Sequence, residues 1–206
     1  GHEGCGIVEQ IGLGVTKVKA GDKVVMHWRK GSGIEAEFPK YKWKSKFVGG
    51  GLVTTFNEYS VVSENRLTKI SSDIPSEIGA LMGCAVTTAL GLINNEASLK
   101  IGQPIVIIGV GGVGLNVVLG AAMVSAFPII AIDIVKEKLK MAKALGATHT
   151  INTTAQDLDK VIQEIMGSNG IDVVVECSGR VELIEKGYSI LSSNGKMIMV
   201  GQPHHK

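Results

Sequence analysis

The chain has 206 residues, of which 45% are hydrophobic, and a formal net charge of +2 at pH 7. This length exceeds the roughly 100 to 150 residues of a typical domain and predicts one complete domain with part of a second. A charge so close to zero gives no indication of a nucleic-acid or membrane partner.

The first 70 residues alternate short apolar stretches with Gly, Asp and Asn turns, which predicts antiparallel β-structure. The clearest predicted strands are Lys23–Met26 and Glu58–Val62. Asp73-Ile74-Pro75 then precedes a predicted helix that begins at Ser76 and continues through the small, apolar run Ala80–Gly91. We therefore place a domain boundary between residues 75 and 76.

From Ile105 onward, strands alternate with amphipathic helices, which predicts a doubly wound parallel sheet of the α/β class. The turn Asn194-Gly195 introduces the last of five strands. The predicted strands are Ile105–Ile108, Ile129–Asp133, Thr148–Asn152, Ile171–Glu176 and Lys196–Val200, and helices are predicted to begin near Val113, Lys136, Ala155 and Val181.

The run from Pro104 to Ile132 is long and apolar enough to cross a bilayer. We favour a buried strand, a packed helix and a second buried strand, because strands covered on both faces are continuously hydrophobic. Clustered glycines and Pro128 divide the run where such elements would join. We therefore expect no membrane span.

The cysteines are Cys5, Cys84 and Cys177, an odd and widely spaced set. Such a set is a poor disulfide framework and is typical of a reducing compartment. The sequence starts at Gly1 and shows no basic, apolar leader of the kind that directs secretion. We therefore expect a cytoplasmic protein whose cysteines are ligands or buried residues.

A glycine-rich motif follows the first strand of the α/β region and opens its first helix. Gly109 permits a tight turn, Gly111 with its neighbour Gly112 leaves room for a pyrophosphate, and Gly114 allows the helix to approach the strand. The free amides of the helix N-terminus favour the phosphates. Asp133 ends the next strand, where a carboxylate accepts ribose hydroxyls and repels a 2′-phosphate, so NAD is favoured over NADP. A turn used only for packing, or a methyltransferase-type nucleoside site, are the alternatives.

The start of the chain carries a second motif, Gly1-His2-Glu3-x-x-Gly6, followed by Gly12 and Val15. It is similar to the zinc signature of the medium-chain dehydrogenase/reductase family, in which the His binds the catalytic zinc and the Glu lies beside it. The segment Leu81–Gly91 resembles the family segment whose Cys, here Cys84, supplies another zinc ligand. A surface histidine and a buried thiol are the alternatives that spacing alone would favour.

This resemblance implies a partial GroES-like catalytic domain over residues 1–75 and an NAD-binding Rossmann domain over residues 76–206, incomplete at its C-terminus. It implies that Thr88 and Val113 lie behind the nicotinamide and that Lys138 contacts a ribose. The segment Glu176–Gly179 resembles a family loop near the cofactor, but we assign Cys177 no chemistry.

The chain also departs from the family pattern. A first zinc-binding Cys and a proton-relay hydroxyl, which precede the Gly-His-Glu motif in relatives, are absent from this sequence, so one of three protein ligands is missing. Many relatives bind a structural zinc through four closely spaced cysteines, and none lies between Cys5 and Cys84. We therefore expect one catalytic zinc and no structural zinc.

The stretch from His27 to Phe47 takes the place of that zinc lobe. It mixes lysines with aromatic residues, as nucleic-acid surfaces do, but the neutral chain favours a solvated or substrate-lining loop. After the fifth strand the sequence ends at Pro203-His204-His205-Lys206, whereas the family fold adds a sixth strand that pairs subunits in many relatives. An uncovered apolar edge would favour aggregation or a different association, so the oligomeric state is open and a homo-oligomer is possible.

The resemblance implies an oxidoreductase that transfers a hydride between a small-molecule alcohol or polyol and NAD. In this expectation His2 and Cys84 hold a zinc that polarises the substrate oxygen, and Glu3 tunes it. One alternative is a non-enzymatic NAD-binding fragment without a complete metal site. Another is a zinc-free relative that resembles quinone reductases.

Overall fold

The computed structural model describes residues 1–203. The chain forms two compact units, which meet in sequence between Thr87 and Thr88. The domain boundary between residues 75 and 76 lies inside the first unit and stays a prediction. His204, His205 and Lys206, the tail noted above, lie outside the described residues.

The first unit is built on antiparallel strands, which confirms the prediction for this region. Three of its strands form one sheet in the order β1-β2-β5, and the other two form a hairpin, β3-β4. The strands are β1 (Gly4–Ile7), β2 (Lys23–Met26), β3 (Lys40–Trp43), β4 (Lys46–Gly49) and β5 (Leu67–Lys69).

Two predictions for this unit were wrong in detail. Glu58–Val62 is not a strand, because Val61 is 65% exposed and its N–H donates to the Tyr41 hydroxyl at 3.1 Å instead of to a neighbouring strand. The stretch from His27 to Phe47 is not only a loop, because it contains β3 and the first half of β4. Lys44 takes a positive φ of 54° in the turn of this hairpin, whose side chains are mostly exposed.

The helix predicted from Ser76 is divided into α1 (Ser76–Met82) and α2 (Ala85–Gly91), followed by a π-helical segment at Leu92–Ala97. The break falls at Gly83, which is pressed against β2. A Cβ at Gly83 would lie 2.2 Å from the carbonyl oxygen of Met26, so only glycine fits. This contact places Cys84 in the turn between the two helices.

The first unit has a small apolar core, formed mainly by Val18, Val24 and Leu67. A buried carboxylate also connects parts of this unit. Glu64, in a 3₁₀ turn before β5, accepts hydrogen bonds from the backbone N–H groups of Thr16 at 2.7 Å, Lys17 at 2.6 Å and Ile34 at 2.8 Å. These donors come from two loops far apart in sequence, and they hold the pKa of Glu64 below its usual range.

The second unit contains one five-stranded parallel sheet in the order β10-β9-β6-β7-β8. Helices connect the successive strands, which confirms the predicted doubly wound α/β class. The elements are β6 (Ile105–Ile108), α3 (Gly112–Met123), β7 (Ile129–Asp133), α4 (Lys136–Ala144), β8 (His149–Asn152), α5 (Leu158–Met166), β9 (Ile171–Glu176), α6 (Val181–Ser189) and β10 (Leu191–Met199).

Two boundaries differ from the prediction for physical reasons. Helix α5 begins three residues later than predicted because the Asp157 carboxylate accepts the N–H of Lys160 at 3.1 Å and caps the first turn. Strand β10 begins at Leu191, before the predicted Asn194-Gly195 turn, because those two residues lie in an irregularity between the paired residues Leu191 and Lys196.

The central strand β6 is fully buried on both faces. Ile105 and Ile107 belong to one apolar cluster, which includes α3 and α4, while Val106 and Ile108 belong to a second cluster, which includes α5. This confirms the strand, helix and strand predicted for the apolar run Pro104–Ile132. No single helix in residues 1–203 is long and apolar enough to span a membrane, whereas the bent pair Ser76–Met82 and Ala85–Ala97 reaches that length and hydropathy only when taken together.

Acid should destabilise the first unit through Glu64. A carboxyl whose folded pKa is lowered contributes stability that is present above its unfolded pKa of about 4.3 and is lost as the pH falls through the folded value. We expect the free energy of unfolding to fall below about pH 4.3, and Glu64→Gln to lower it at neutral pH and flatten this dependence.

Urea unfolding followed by tryptophan fluorescence measures this effect, because both tryptophans, Trp28 and Trp43, lie in the first unit. Glu9→Gln, at an exposed position, is the matched control and should keep the wild-type profile. An unchanged acid profile in Glu64→Gln would show that other groups dominate.

Candidate cofactor and metal sites

The glycine turn between β6 and α3 has a shape that depends on missing side chains. Gly109 takes a positive φ of 85°, a conformation that glycine adopts without strain. A Cβ at Gly114 would lie 2.1 Å from the Gly109 carbonyl oxygen, so α3 starts in direct contact with the turn. A Cβ at Gly111 or Gly112 would meet no atom within 4 Å. The turn therefore leaves an open space in front of the helix.

The open space faces the N-terminus of α3, a helix of 12 residues. Gly111 is the N-cap, and no side chain caps the first N–H groups. No acidic residue lies in the first turn. Free amides and the positive end of the helix dipole suit a phosphate, so these residues fit the pyrophosphate of a dinucleotide.

Asp133 ends β7 beside this turn. Its Oδ2 accepts the N–H of Val110 at 2.9 Å, and its Oδ1 accepts the N–H groups of Ile134 at 2.8 Å and Val135 at 2.9 Å. The carboxylate therefore holds the glycine turn and the start of the next loop together. Its location at the carboxyl edge of the sheet also suits a ribose, as the sequence predicts.

The other predicted cofactor residues belong to the second unit. Val113 is half-buried in the first turn of α3, and Lys138 is half-buried in the first turn of α4. Thr88 is exposed on α2. Their assignments to nicotinamide and ribose stay predictions.

The predicted metal residues lie in the first unit. Glu3 accepts the N–H of Ala85 at 2.9 Å, which places its carboxylate next to the residue that follows Cys84. His2 is exposed, and its ring centre lies 6.3 Å from that of Trp28 in an edge-to-face arrangement. The fold thus brings Glu3 close to the turn that carries Cys84.

These residues do not fit a complete zinc site. Across residues 1–203, no three His, Cys, Asp or Glu side chains are grouped so that they could hold a metal ion. A catalytic zinc needs about three protein ligands. The Cys177 thiol does not supply a third ligand, because burial and the neighbouring Glu176 raise its pKa to about 12.

Glu176 is a buried group for which the sequence predicts no role of its own. It ends β9 and is 0% exposed. Its carboxylate accepts the N–H groups of Ser178 at 2.6 Å and Gly179 at 3.0 Å, as well as the Ser178 hydroxyl. The available signal is a charged residue that directly follows the buried apolar run Val173–Val175 within β9.

A cavity of about 840 Å³ lies elsewhere in the second unit. Its lining includes Pro104, Pro128 and Gly170, which precede β6, β7 and β9. It therefore lies at the amino edge of the sheet, whereas ligands of doubly wound sheets bind at the carboxyl edge. We assign it no part in cofactor binding.

Comparison with known proteins agrees with this architecture. Residues 1–72 match the alcohol dehydrogenase GroES-like domain, and residues 112–206 match the zinc-binding dehydrogenase family. An S-(hydroxymethyl)glutathione dehydrogenase from Synechocystis sp. is 34% identical over 98% of this chain and 62% of the relative. The chain belongs to the zinc-dependent medium-chain alcohol dehydrogenase family. This family implies NAD and zinc as cofactors.

Two further similarities support the family assignment. An S-(hydroxymethyl)glutathione dehydrogenase from Escherichia coli is 36% identical over 89% of this chain and 57% of the relative. The crystal structure of benzyl alcohol dehydrogenase from Acinetobacter calcoaceticus matches with a TM-score of 0.80 and 31% identity, over 98% of this chain and 61% of that one. This chain thus spans about three fifths of the length of each of these relatives.

Two alanine substitutions should separate packing from cofactor binding in the glycine turn. Gly114→Ala drives a methyl group into the Gly109 carbonyl, and we expect it to lower the free energy of unfolding by about 1–3 kcal/mol. In Gly111→Ala the added methyl group meets open space, and the φ of −78° at this position is one that alanine adopts. The free energy of unfolding should therefore change by less than about 0.5 kcal/mol.

The same methyl group at residue 111 would occupy the space that a pyrophosphate approaches, so NAD affinity should fall at least about tenfold. Urea unfolding and calorimetric titration with NAD measure the two effects. Equal NAD affinity in Gly111→Ala and the wild type would argue against a dinucleotide at this turn.

Proposed function

We propose that this chain is part of an oxidoreductase that transfers a hydride between a small-molecule alcohol or polyol and NAD. The observation that supports this most strongly is the open glycine turn at an uncapped helix N-terminus, with Asp133 beside it. When bound, NAD takes up the hydride from the carbinol carbon while the hydroxyl proton is released.

The contribution of the chain's own residues is binding and orientation. The amides at the start of α3 hold the pyrophosphate without any basic side chain. Asp133 is kept rigid by three backbone N–H donors, so it offers the ribose hydroxyls a fixed acceptor and repels a 2′-phosphate. Val113, Thr88 and Lys138 complete the proposed contacts to nicotinamide and ribose.

For the metal, we propose one zinc held by His2 and Cys84, with Glu3 beside it, and no structural zinc. The described residues lack a three-ligand group, so the proposal requires a further ligand and no reaction step is assigned to the metal. The lack of cysteines between Cys5 and Cys84 supports the absence of a structural zinc in this chain.

The incomplete ligand group favours a second candidate function, an NAD-binding chain without dehydrogenase activity. Formation of NADH with a panel of primary alcohols and polyols, measured alongside NAD binding, separates the two. NAD binding without turnover, even when zinc is added, would favour the binding module. Turnover that needs added zinc would favour the enzyme.

Asp133→Asn should change cofactor preference. The substitution removes the negative charge and keeps the shape of the side chain, so repulsion of a 2′-phosphate disappears. We expect the affinity for NADP relative to NAD to rise at least about tenfold. Calorimetric titration with both cofactors measures the ratio, and a ratio equal to that of the wild type would contradict the ribose assignment.

Cys84→Ser should weaken zinc binding at least about tenfold, because a thiolate ligand is replaced by a weaker hydroxyl. Competition against a zinc-binding dye measures the affinity of the 206-residue chain. Cys177→Ser is the matched control, since that buried thiol stays protonated at neutral pH and should not contribute. Equal effects of the two substitutions would rule out Cys84 as a specific ligand.

A further inference from the structure

The Glu176 carboxylate is held by neutral groups alone. Its Oε1 accepts the N–H groups of Ser178 and Gly179 and the Ser178 hydroxyl, and its Oε2 accepts the N–H of Gly179 at 3.1 Å. Among residues 1–203, no Lys, Arg or His forms an ion pair with it. Every contact is with a donor, which is the arrangement expected for the ionised form. The second unit therefore carries a buried negative charge without a neutralising cation.

This charge lies next to the glycine turn. The Cys177 N–H donates to the Ile108 carbonyl at 2.8 Å, so the loop after β9 runs alongside the end of β6. A Cβ at Gly109 would lie 3.0 Å from the backbone nitrogen of Ser178 and 3.2 Å from the carbonyl carbon of Cys177. The loop that Glu176 holds thus forms one wall of the turn.

The two sides of the turn end in different carboxylates. Asp133 belongs to β7, on one side of β6, and Glu176 belongs to β9, on the other side. A doubly wound sheet binds a dinucleotide across this change in strand order, with one nucleotide on each side. If the adenosine ribose lies at Asp133, the nicotinamide half lies on the Glu176 side.

The two redox forms of the cofactor differ in charge at that half. The nicotinamide ring of NAD+ is cationic, and the ring of NADH is neutral. Unit charges within about 10 Å of one another at an effective dielectric constant of about 20 interact strongly enough to change a binding constant about tenfold. A buried charge is also screened by salt much less than a surface charge.

We propose that Glu176 makes the site discriminate between the redox forms, by favouring NAD+ relative to NADH. The proposal rests on the NAD-linked function proposed above. Glu176 acts without touching the substrate, so it is a specificity-determining residue and not a catalytic one.

The test is Glu176→Gln in the full 206-residue chain, with calorimetric titrations of NAD+, NADH and ADP-ribose. Glutamine removes the charge and keeps an oxygen that can accept from the 178–179 loop. We expect NAD+ to lose about tenfold more affinity than NADH. ADP-ribose lacks the nicotinamide, so its affinity should stay near that of the wild type.

Ser178→Ala is the matched control, because it removes one hydrogen bond to Glu176 and leaves the charge in place. It should change the affinities for NAD+ and NADH by the same factor. Glu176→Asp keeps the charge on a shorter side chain and should keep the wild-type ratio. It serves as the second variant if Glu176→Gln does not fold, and a ratio in Glu176→Asp that shifts toward NADH would then overturn the proposal.

Parallel weakening of all three ligands in Glu176→Gln would show that the residue only supports the loop, and would overturn the charge effect while leaving the NAD site intact. A wild-type chain that binds none of the three ligands would instead overturn the proposed function, and this inference with it.

Discussion

The space that a side chain would need at Gly114 is already occupied by the Gly109 carbonyl oxygen, and the rest of the second unit depends on this contact. Because α3 begins against the turn, its first amides lie at the carboxyl edge of the sheet with nothing to cap them. The central strand β6 is buried on both faces, and this fixes the position of the turn that follows it at the carboxyl edge of the sheet. The anion-binding property therefore comes from backbone packing, without a charged side chain.

Two carboxylates keep this backbone arrangement in place. Asp133 and Glu176 end the strands on either side of β6, and each accepts N–H groups from the loop that follows its own strand. Leaving such amides unpaired near the core would be costly, so the carboxylates replace the hydrogen bonds that the strands no longer supply. The loops around the turn are consequently fixed before any ligand binds.

The sequence predicted the centre of the second unit well because β6 and β7 are buried and form nearly continuous apolar runs. Alternation was a misleading signal at Glu58–Val62, where the Val61 N–H pairs with the Tyr41 side chain instead of a strand. The helix break at Gly83 was missed because it depends on a tertiary contact with β2. The glycine turn was predictable because its conformation demands glycine. The contacts of Glu176 were not, because its donors and its lack of a cation become visible only in three dimensions.

Glu64 connects distant parts of the first unit, since it binds backbone groups near residues 16 and 34 and belongs to the 3₁₀ turn that leads into β5. The hydrogen bond from the Ile34 N–H to Glu64 closes the interval between residues 35 and 63 at its base. The entropy of closing a loop rises only slowly with its length, so this interval can exchange one insertion for another at small thermodynamic cost. The exposed hairpin β3-β4 is, in this sense, an attachment that can be replaced while the three-stranded sheet stays the same.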